Sequence, residues 1–186
     1  MEAATSAPRF YGFHATLKPP FSLKQGTREA ELIAAAEAFG RTQAAFTCPP
    51  LRVQRLGRFI ALMLSAKSAE MDALADTCVR SFDRFRAPLS DADMQRRRAA
   101  GLSDQQNRYL QQWGYPYVFE EFRFHMSLTG GIDDETVLSA LESQLARVFA
   151  PFAERAQPVD SVCVFFQPDR DTAFTLLHRV ALQGHD

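Results

Sequence analysis

The feature that most constrains the fold of this chain is a short pattern that occurs twice, 111 residues apart. Phe-His-Ala-Thr-Leu at residues 13–17 returns as Phe-His-Met-Ser-Leu at residues 124–128. Apolar and polar residues alternate in each copy, which is typical of a half-buried β-strand. The same offset carries residues 51–53 onto residues 162–164, another pair of apolar segments. A repeat of this length predicts two similar lobes related by a pseudo-twofold axis, with the histidine-bearing strands facing each other across a central cleft.

The shared part of the pattern, His-x-(Ser/Thr)-apolar, is unusual enough to carry an argument. Two of the four histidines have it, whereas His178 and His185 do not. The residue frequencies of this chain give two such matches by chance on the order of 1–2% of the time. The repeat is therefore treated as a duplication rather than as a coincidence.

The remainder of the chain alternates between helical and strand periodicity. It predicts a strand at 13–17, helices at 28–41, 69–85, 91–100, 104–113 and from about 133, hairpins at 51–65 and 161–182, an extended segment at 115–121 and a strand at 122–129. Thr27 is the expected N-cap of the first helix, and Ser103 begins a capping box. The inward face of the last long helix is expected to carry Val137, Leu141, Leu145 and Val148. The order predicts an α+β fold, in which each lobe is an antiparallel sheet with outer helices.

One domain is expected, because 186 residues are enough for a single hydrophobic core. Lobe one covers about 9–66, a helical insertion about 67–114, and lobe two about 115–186. The first eight residues are small and polar, which predicts a flexible tail and not a signal peptide.

Composition excludes several classes of function. A formal charge of -1 and a pI near 6.4 argue against a broad basic surface that binds duplex nucleic acid. The longest apolar run, residues 59–64, is too short to span a membrane. Three widely spaced cysteines predict buried, reduced thiols in a cytoplasmic protein.

The two motifs bring together side chains suited to phosphate-ester chemistry. Residues two apart on a strand share a face, so His14 is expected beside Thr16, and His125 beside Ser127. One imidazole can accept a proton while the other donates one, and the hydroxyls can donate to phosphate oxygens. The sequence leaves open which histidine is the acid. No metal or cofactor is expected, because two histidines without a carboxylate or thiolate at ligand spacing form an incomplete metal site.

Two cations lie near the motifs in sequence. Lys18 and Arg123 fall on the same strand faces as the histidines and can stabilise charge on a phosphoryl group. An exposed charge at a strand end explains them equally well. Arg96 to Arg98 are interpreted as a solvated helix face.

Longer strings around these motifs resemble a known family. Residues 11–21 (YGFHATLKPPF), 120–130 (EEFRFHMSLTG), 96–102 (RRRAAGL) and 113–117 (WGYPY) are similar to the two-histidine phosphoesterase superfamily and to a bacterial branch of it associated with phosphonate metabolism. The resemblance covers most of the chain. It implies that His14 and His125 are catalytic and that Thr16 and Ser127 bind phosphate. Members of the branch carry a longer segment before the first motif, so the chain is expected to be a late-start form or a fragment with an exposed sheet edge.

Residues and resemblance together predict a metal-independent phosphodiesterase. Its substrate would be a cyclic phosphate on a ribose or nucleotide, or an RNA end, and transfer of the phosphoryl group to a ribose hydroxyl would use the same residues. Lys18, Arg123, Tyr11 and Tyr115 are the further residues expected to contact substrate or stabilise charge. The alternative is a non-catalytic module that binds phosphate or RNA in the same cleft. The oligomeric state is left open.

Overall fold

The N-terminal residues form a helix and not the predicted tail. The computed structural model describes residues 2–99, 101–169 and 171–184, and it begins with helix α1 (Glu2–Tyr11). The backbone N–H of Gly130 donates to the carbonyl oxygen of Ala4 at 2.7 Å. This bond attaches α1 to the second half of the chain, and a hydrogen bond outside the segment cannot be read from the segment's own composition.

The remaining elements follow in a mixed order. They are α2 (Glu29–Thr42), β1 (Phe46–Cys48), β2 (Leu51–Leu56), β3 (Phe59–Leu64), α3 (Ala69–Phe82), α4 (Asp91–Arg98), α5 (Asp104–Trp113), β4 (Met126–Ser127), α6 (Glu135–Phe149), β5 (Gln157–Val159), β6 (Ser161–Phe166) and β7 (Thr175–Ala181). Short 3-10 turns follow α3, precede β4 and follow α6. The α+β class is confirmed.

Among the described residues, the strands form three small antiparallel sheets. Their orders are β2-β3-β4, β1-β5 and β6-β7. The hairpins β2-β3 and β6-β7 confirm the two predicted hairpins, and Gly57 (φ 62°) turns the first of them. The pairing of β1 with β5 was not predicted, because segments of three residues show too little periodicity.

Of the two predicted histidine-bearing strands, the first does not form and the second is shorter than predicted. Residues 13–17 form no strand, and the side chain of Phe13 is exposed. Only Met126 and Ser127 of the segment 122–129 pair with a neighbour, opposite Leu62 and Ala61 of β3. Alternation alone does not make a strand, because the backbone also needs a ladder of hydrogen bonds with a partner.

The helices that the sequence predicted, α2 to α6, begin and end within about one turn of their predicted bounds. Ser103 caps α5 in a capping box with Gln106, as predicted, and Gly114 (φ 73°) ends that helix. The N-cap of α2 is Arg28 and not Thr27. Helix α4 ends at Arg98, and residue 100, the last of that predicted helix, lies outside the described residues.

The inward face of α6 differs from the prediction at both ends. Leu138 is buried, whereas Val137 and Val148 are exposed. The apolar stripe therefore passes through Leu138, Leu141, Leu145 and Phe149, one residue away from the predicted stripe at each end. Both stripes have helical spacing, so only packing against β2 and β3 distinguishes them.

A cluster of buried apolar residues lies between α2, α3 and the residue that follows β7. Phe39, Leu74, Cys78 and Leu182 form its centre, and Leu17 packs against it. Leu17 therefore anchors the first motif to the core although that segment is not a strand. Within the described part of the chain, no helix is both long and apolar enough to cross a membrane.

Candidate functional site

The first motif holds its histidine against the second hairpin. The ring of His14 stacks on Phe165 of β6, with ring centroids 5.1 Å apart and an interplanar angle of 27°. Its Nε2 atom lies 3.3 Å from Oγ1 of Thr16. The pairing of His14 with Thr16 is therefore found, although the backbone between them is not a strand.

The other ring nitrogen of His14 is left without a partner. Nδ1 is buried and makes no hydrogen bond. In the tautomer in which the Thr16 hydroxyl donates to Nε2, the neutral ring carries its proton on Nδ1 and this unpaired atom is an N–H donor. An unpaired buried polar atom costs about 1–3 kcal/mol, and a ligand that reached it would recover that cost.

The second motif holds its histidine against the first hairpin. The ring of His125 lies beside Phe59 of β3, with centroids 5.7 Å apart. Nδ1 of His125 lies 2.8 Å from the backbone carbonyl oxygen of Arg123. A carbonyl oxygen only accepts, so Nδ1 donates and Nε2 is the nitrogen that can accept or release a proton. Ser127 is fixed two residues further on by the pairing of β4 with β3.

The two histidines therefore contact different hairpins, His14 the β6-β7 hairpin and His125 the β2-β3 hairpin. His14 and His125 share no hydrogen-bonding or ring-stacking partner among the described residues. Each motif carries an imidazole and, two residues further on, a hydroxyl, and groups of both kinds can donate to an anionic oxygen. In the same described part of the chain, no three His, Cys, Asp or Glu side chains form a group that could hold a metal ion.

The side chain of Lys18 is bonded to α3 and to the turn that follows it. Its ammonium group donates to the carbonyl oxygen of Val79 at 3.1 Å and to Asp83 at 3.3 Å. Burial lowers the pKa of Lys18, and the neighbouring Asp83 carboxylate partly opposes that shift. These contacts engage Lys18 with α3 and the turn after it. The side chain of Arg123 is exposed.

The two tyrosines take different places. Tyr11 is the last residue of α1, and its side chain lies outside the described part of the structure. The ring of Tyr115 contacts Tyr117, with centroids 5.6 Å apart, and the guanidinium of Arg97 lies 5.0 Å from its centre. Burial raises the pKa of the Tyr115 phenol. Arg97 therefore packs on an aromatic ring, and the interpretation of all three arginines as a solvated face is wrong for this one.

Sequence reasoning missed the aromatic residues that support the histidines. Phe165 and Phe59 belong to neither motif, and each lies in the hairpin of the other half of the chain. Neither is distinguished in the sequence, because the chain has sixteen phenylalanines. Only the tertiary contacts identify these two.

Comparison with known proteins gives a family and two long relatives. Residues 16–175 match the model of a family described as "Protein of unknown function (DUF1045)". The chain is 35% identical over 187 residues to ribose 1,5-bisphosphate phosphokinase PhnN of Janthinobacterium sp. (strain Marseille), covering 99% of this chain and 41% of that protein. It is 34% identical over 173 residues to the protein of the same name from Laribacter hongkongensis (strain HLHK9), covering 92% of this chain and 39% of that protein. The chain thus spans about two fifths of the length of these relatives.

The relatives correct the predicted activity. Both are named for a phosphokinase, which transfers a phosphoryl group to an acceptor, whereas the predicted enzyme uses water to open a phosphodiester. The prediction of a two-histidine phosphodiester hydrolase is therefore wrong. The motif misled because a histidine and a hydroxyl suit several kinds of phosphate recognition, and their presence does not fix the reaction.

Proposed function

The chain belongs to the DUF1045 family, and from that premise we propose that it binds phosphorylated ribose as part of phosphonate metabolism. The name of its relatives specifies a ribose that carries two phosphate groups. The link to phosphonate metabolism rests on those relatives and on the resemblance of the residues around both motifs. The proposed role is recognition of the sugar phosphate.

The observation that carries the proposal is the unpaired Nδ1 of His14 beside Thr16. A phosphate oxygen that reaches this N–H relieves the cost of a buried donor without a partner. Hydrogen bonds to charged acceptors contribute about 1.5–3 kcal/mol, more than bonds between neutral groups. In this arrangement the Thr16 hydroxyl donates to Nε2 and fixes the tautomer that presents the Nδ1 proton.

The second motif would hold the other phosphate. His125 presents Nε2, since its Nδ1 is bonded to the carbonyl oxygen of Arg123, and as an imidazolium it would donate from Nε2 to a phosphate oxygen. Ser127 adds a hydroxyl. The duplication suits a ligand with a phosphate at each end of one ribose, because each motif would take one end. Lys18 is engaged by Asp83, so the proposal assigns it no phosphate contact.

We also propose that the two halves are related by a pseudo-twofold axis, as in the two-histidine superfamily. The support is the crosswise arrangement of the motifs. The second motif continues into β4, which pairs with β3 of the first hairpin, while the first motif stacks on β6 of the second hairpin. Under this proposal the lobes are residues 9–66 and 115–186, and residues 67–114 form an insertion.

Calorimetric titration tests the proposed ligand. Ribose 1,5-bisphosphate should bind at least about tenfold more tightly than ribose 5-phosphate, and inorganic phosphate should bind more weakly than either, because each phosphate engages one motif. Replacement of His14 or His125 by Ala should weaken binding of the bisphosphate by about 10- to 100-fold, the loss expected for a hydrogen bond to a charged group.

The matched control is His178→Ala. His178 is half-buried, lacks the motif and pairs with Glu37 at 3.3 Å, so its replacement should leave binding unchanged. The proposal fails if the bisphosphate binds no more tightly than inorganic phosphate. It also fails if the His178 variant loses as much affinity as the His14 and His125 variants.

A further inference from the structure

Several large apolar side chains near the first motif stand exposed. Their exposed fractions lie between 37% and 61%. We call them the phenylalanine face: Phe13, Phe152, Phe165 and Leu176.

Ring and strand contacts connect the members of this face. Phe13 stacks on Phe149 at 6.4 Å between centroids, and Phe149 contacts Phe152 at 6.2 Å. On the other side of the motif, His14 stacks on Phe165, which pairs with Leu176 across the β6-β7 hairpin. The face therefore runs from the end of α6, past His14, to the tip of the hairpin.

A break in strand register lies beside this face. The pairing of β6 with β7 shifts between Val164 and Phe165. Such irregularities re-aim side chains, and beyond the shift Phe165 and its cross-strand partner Leu176 are both exposed. Contiguous exposed apolar surface marks an interaction site.

We propose that the phenylalanine face is the docking surface for a ribose 1,5-bisphosphate phosphokinase domain. About three fifths of each relative lies outside the part that this chain matches, and those whole proteins carry the phosphokinase name. The present sequence has no G-x-x-x-x-G-K-[ST] loop of the kind that cradles nucleotide phosphates. Nucleotide binding by the phosphokinase is therefore assigned to the unmatched part, ribose-phosphate recognition to this chain, and the exposed face to contact between them.

The phenylalanine face lies next to His14, so a domain docked on it would be close to the proposed ligand site. Phe165 belongs to the face and also supports the His14 ring, so a docked domain would lie beside the proposed ribose-phosphate site. The choice of partner rests on the proposed function, whereas the docking surface rests on exposure and contacts alone.

Sedimentation velocity tests the contact in the absence of any sugar phosphate. The chain is mixed with a separately produced ribose 1,5-bisphosphate phosphokinase, and a complex is expected at micromolar concentrations. Phe152→Ser and Leu176→Ser, at opposite ends of the face, should each weaken the complex by about tenfold or more, because apolar anchors dominate such interfaces. Both side chains are exposed, so their circular dichroism spectra should stay unchanged.

Val137→Ser is the matched control, because Val137 is an equally exposed apolar residue at the other end of α6. It should change the affinity by less than about twofold. Absence of a complex overturns the proposal, as does equal weakening by the control. Self-association of the chain alone that Phe152→Ser abolishes also overturns it, because the face would then bind a second copy. Titration with ribose 1,5-bisphosphate is a separate measurement, so loss of docking and loss of ligand binding are distinguished.

Discussion

At the scale of single residues, Asp83 holds two cations in the interior. Arg86 donates from Nε to Oδ1 at 2.7 Å and from Nη2 to Oδ2 at 3.2 Å, and Lys18 donates to Oδ1 at 3.3 Å. The side chain of Lys18 is only 8% exposed. Burial alone would raise the pKa of Asp83, but the hydrogen bond from Arg86 and the charges of Lys18 and Arg86 outweigh it and hold that pKa below its ordinary value.

Asp83→Asn should therefore destabilise the protein by roughly 3 kcal/mol at pH 7, because it leaves Lys18 as a buried charge without its counter-ion. A carboxyl whose pKa is depressed by folding stabilises the native state above its unfolded pKa, and that contribution is lost as the pH falls through the folded value. The difference in unfolding free energy between the two proteins should thus be largest above about pH 4 and shrink below it. Urea denaturation at several pH values measures both effects.

Glu31→Gln is the control for this prediction. Glu31 pairs with Arg28 on the exposed surface of α2, so its loss should change stability little at any pH. A difference for Asp83→Asn that stays constant from pH 7 to pH 3 would contradict the assignment of the carboxylate as the stabilising species.

At the scale of elements, α2 lies unusually close to β7. A Cβ atom on Gly40 would lie 2.3 Å from Cγ1 of Val180 and 2.5 Å from the carbonyl oxygen of Ala181. The backbone N–H of Gln183 donates to the Gly40 carbonyl oxygen at 2.8 Å, so helix and chain are joined at the same point. The close approach of α2 to β7 therefore explains why a glycine stands inside the helix, although a helical glycine normally lowers stability by about 1 kcal/mol relative to alanine.

Gly40→Ala should lower the free energy of unfolding by about 1–3 kcal/mol, because the added methyl group meets backbone that cannot move cheaply. Thermal unfolding followed by circular dichroism measures the loss. Ala38→Gly, on the exposed side of the same helix, isolates the effect of helix propensity and should cost about 1 kcal/mol. If Gly40→Ala raises stability, propensity outweighs packing and the close approach is not a tight contact.

At the scale of the whole molecule, the two halves are tied together by strand pairs that cross between them. β1 pairs with β5, and β3 pairs with β4. Buried Thr129 adds a side-chain bond, since the backbone N–H of Ile60 donates to its Oγ1 at 3.0 Å. Such cross-connections predict one cooperative unfolding transition rather than separate melting of two lobes.

Thr129→Val should destabilise the whole protein by about 1–3 kcal/mol, because it leaves the buried N–H of Ile60 without an acceptor. Far-ultraviolet circular dichroism and the fluorescence of the single Trp113 should report the same shifted midpoint. Thr129→Ser keeps the hydroxyl and should retain most of the stability. Two separate transitions, with only one of them moved by Thr129→Val, would show that the halves unfold independently.

The sequence by itself determined the features that depend on neighbours along the chain. The capping box at Ser103, the turn at Gly57 and the proximity of His14 to Thr16 all involve residues within a few positions of one another. Local hydrogen bonds and backbone preferences decide such features, so spacing is enough to predict them. The motif did not determine the reaction, which the names of the relatives corrected.

Only the tertiary structure decided which partner each of these local pieces meets. The first motif forms no strand and instead stacks on Phe165, Lys18 is drawn toward Asp83, and α1 is held at Gly130. Each of these contacts joins residues more than sixty positions apart. Which of these contacts form depends on how much apolar surface the whole chain buries and how many of its hydrogen-bonding groups it pairs at the same time. The spacing of residues along the chain does not reveal that sum.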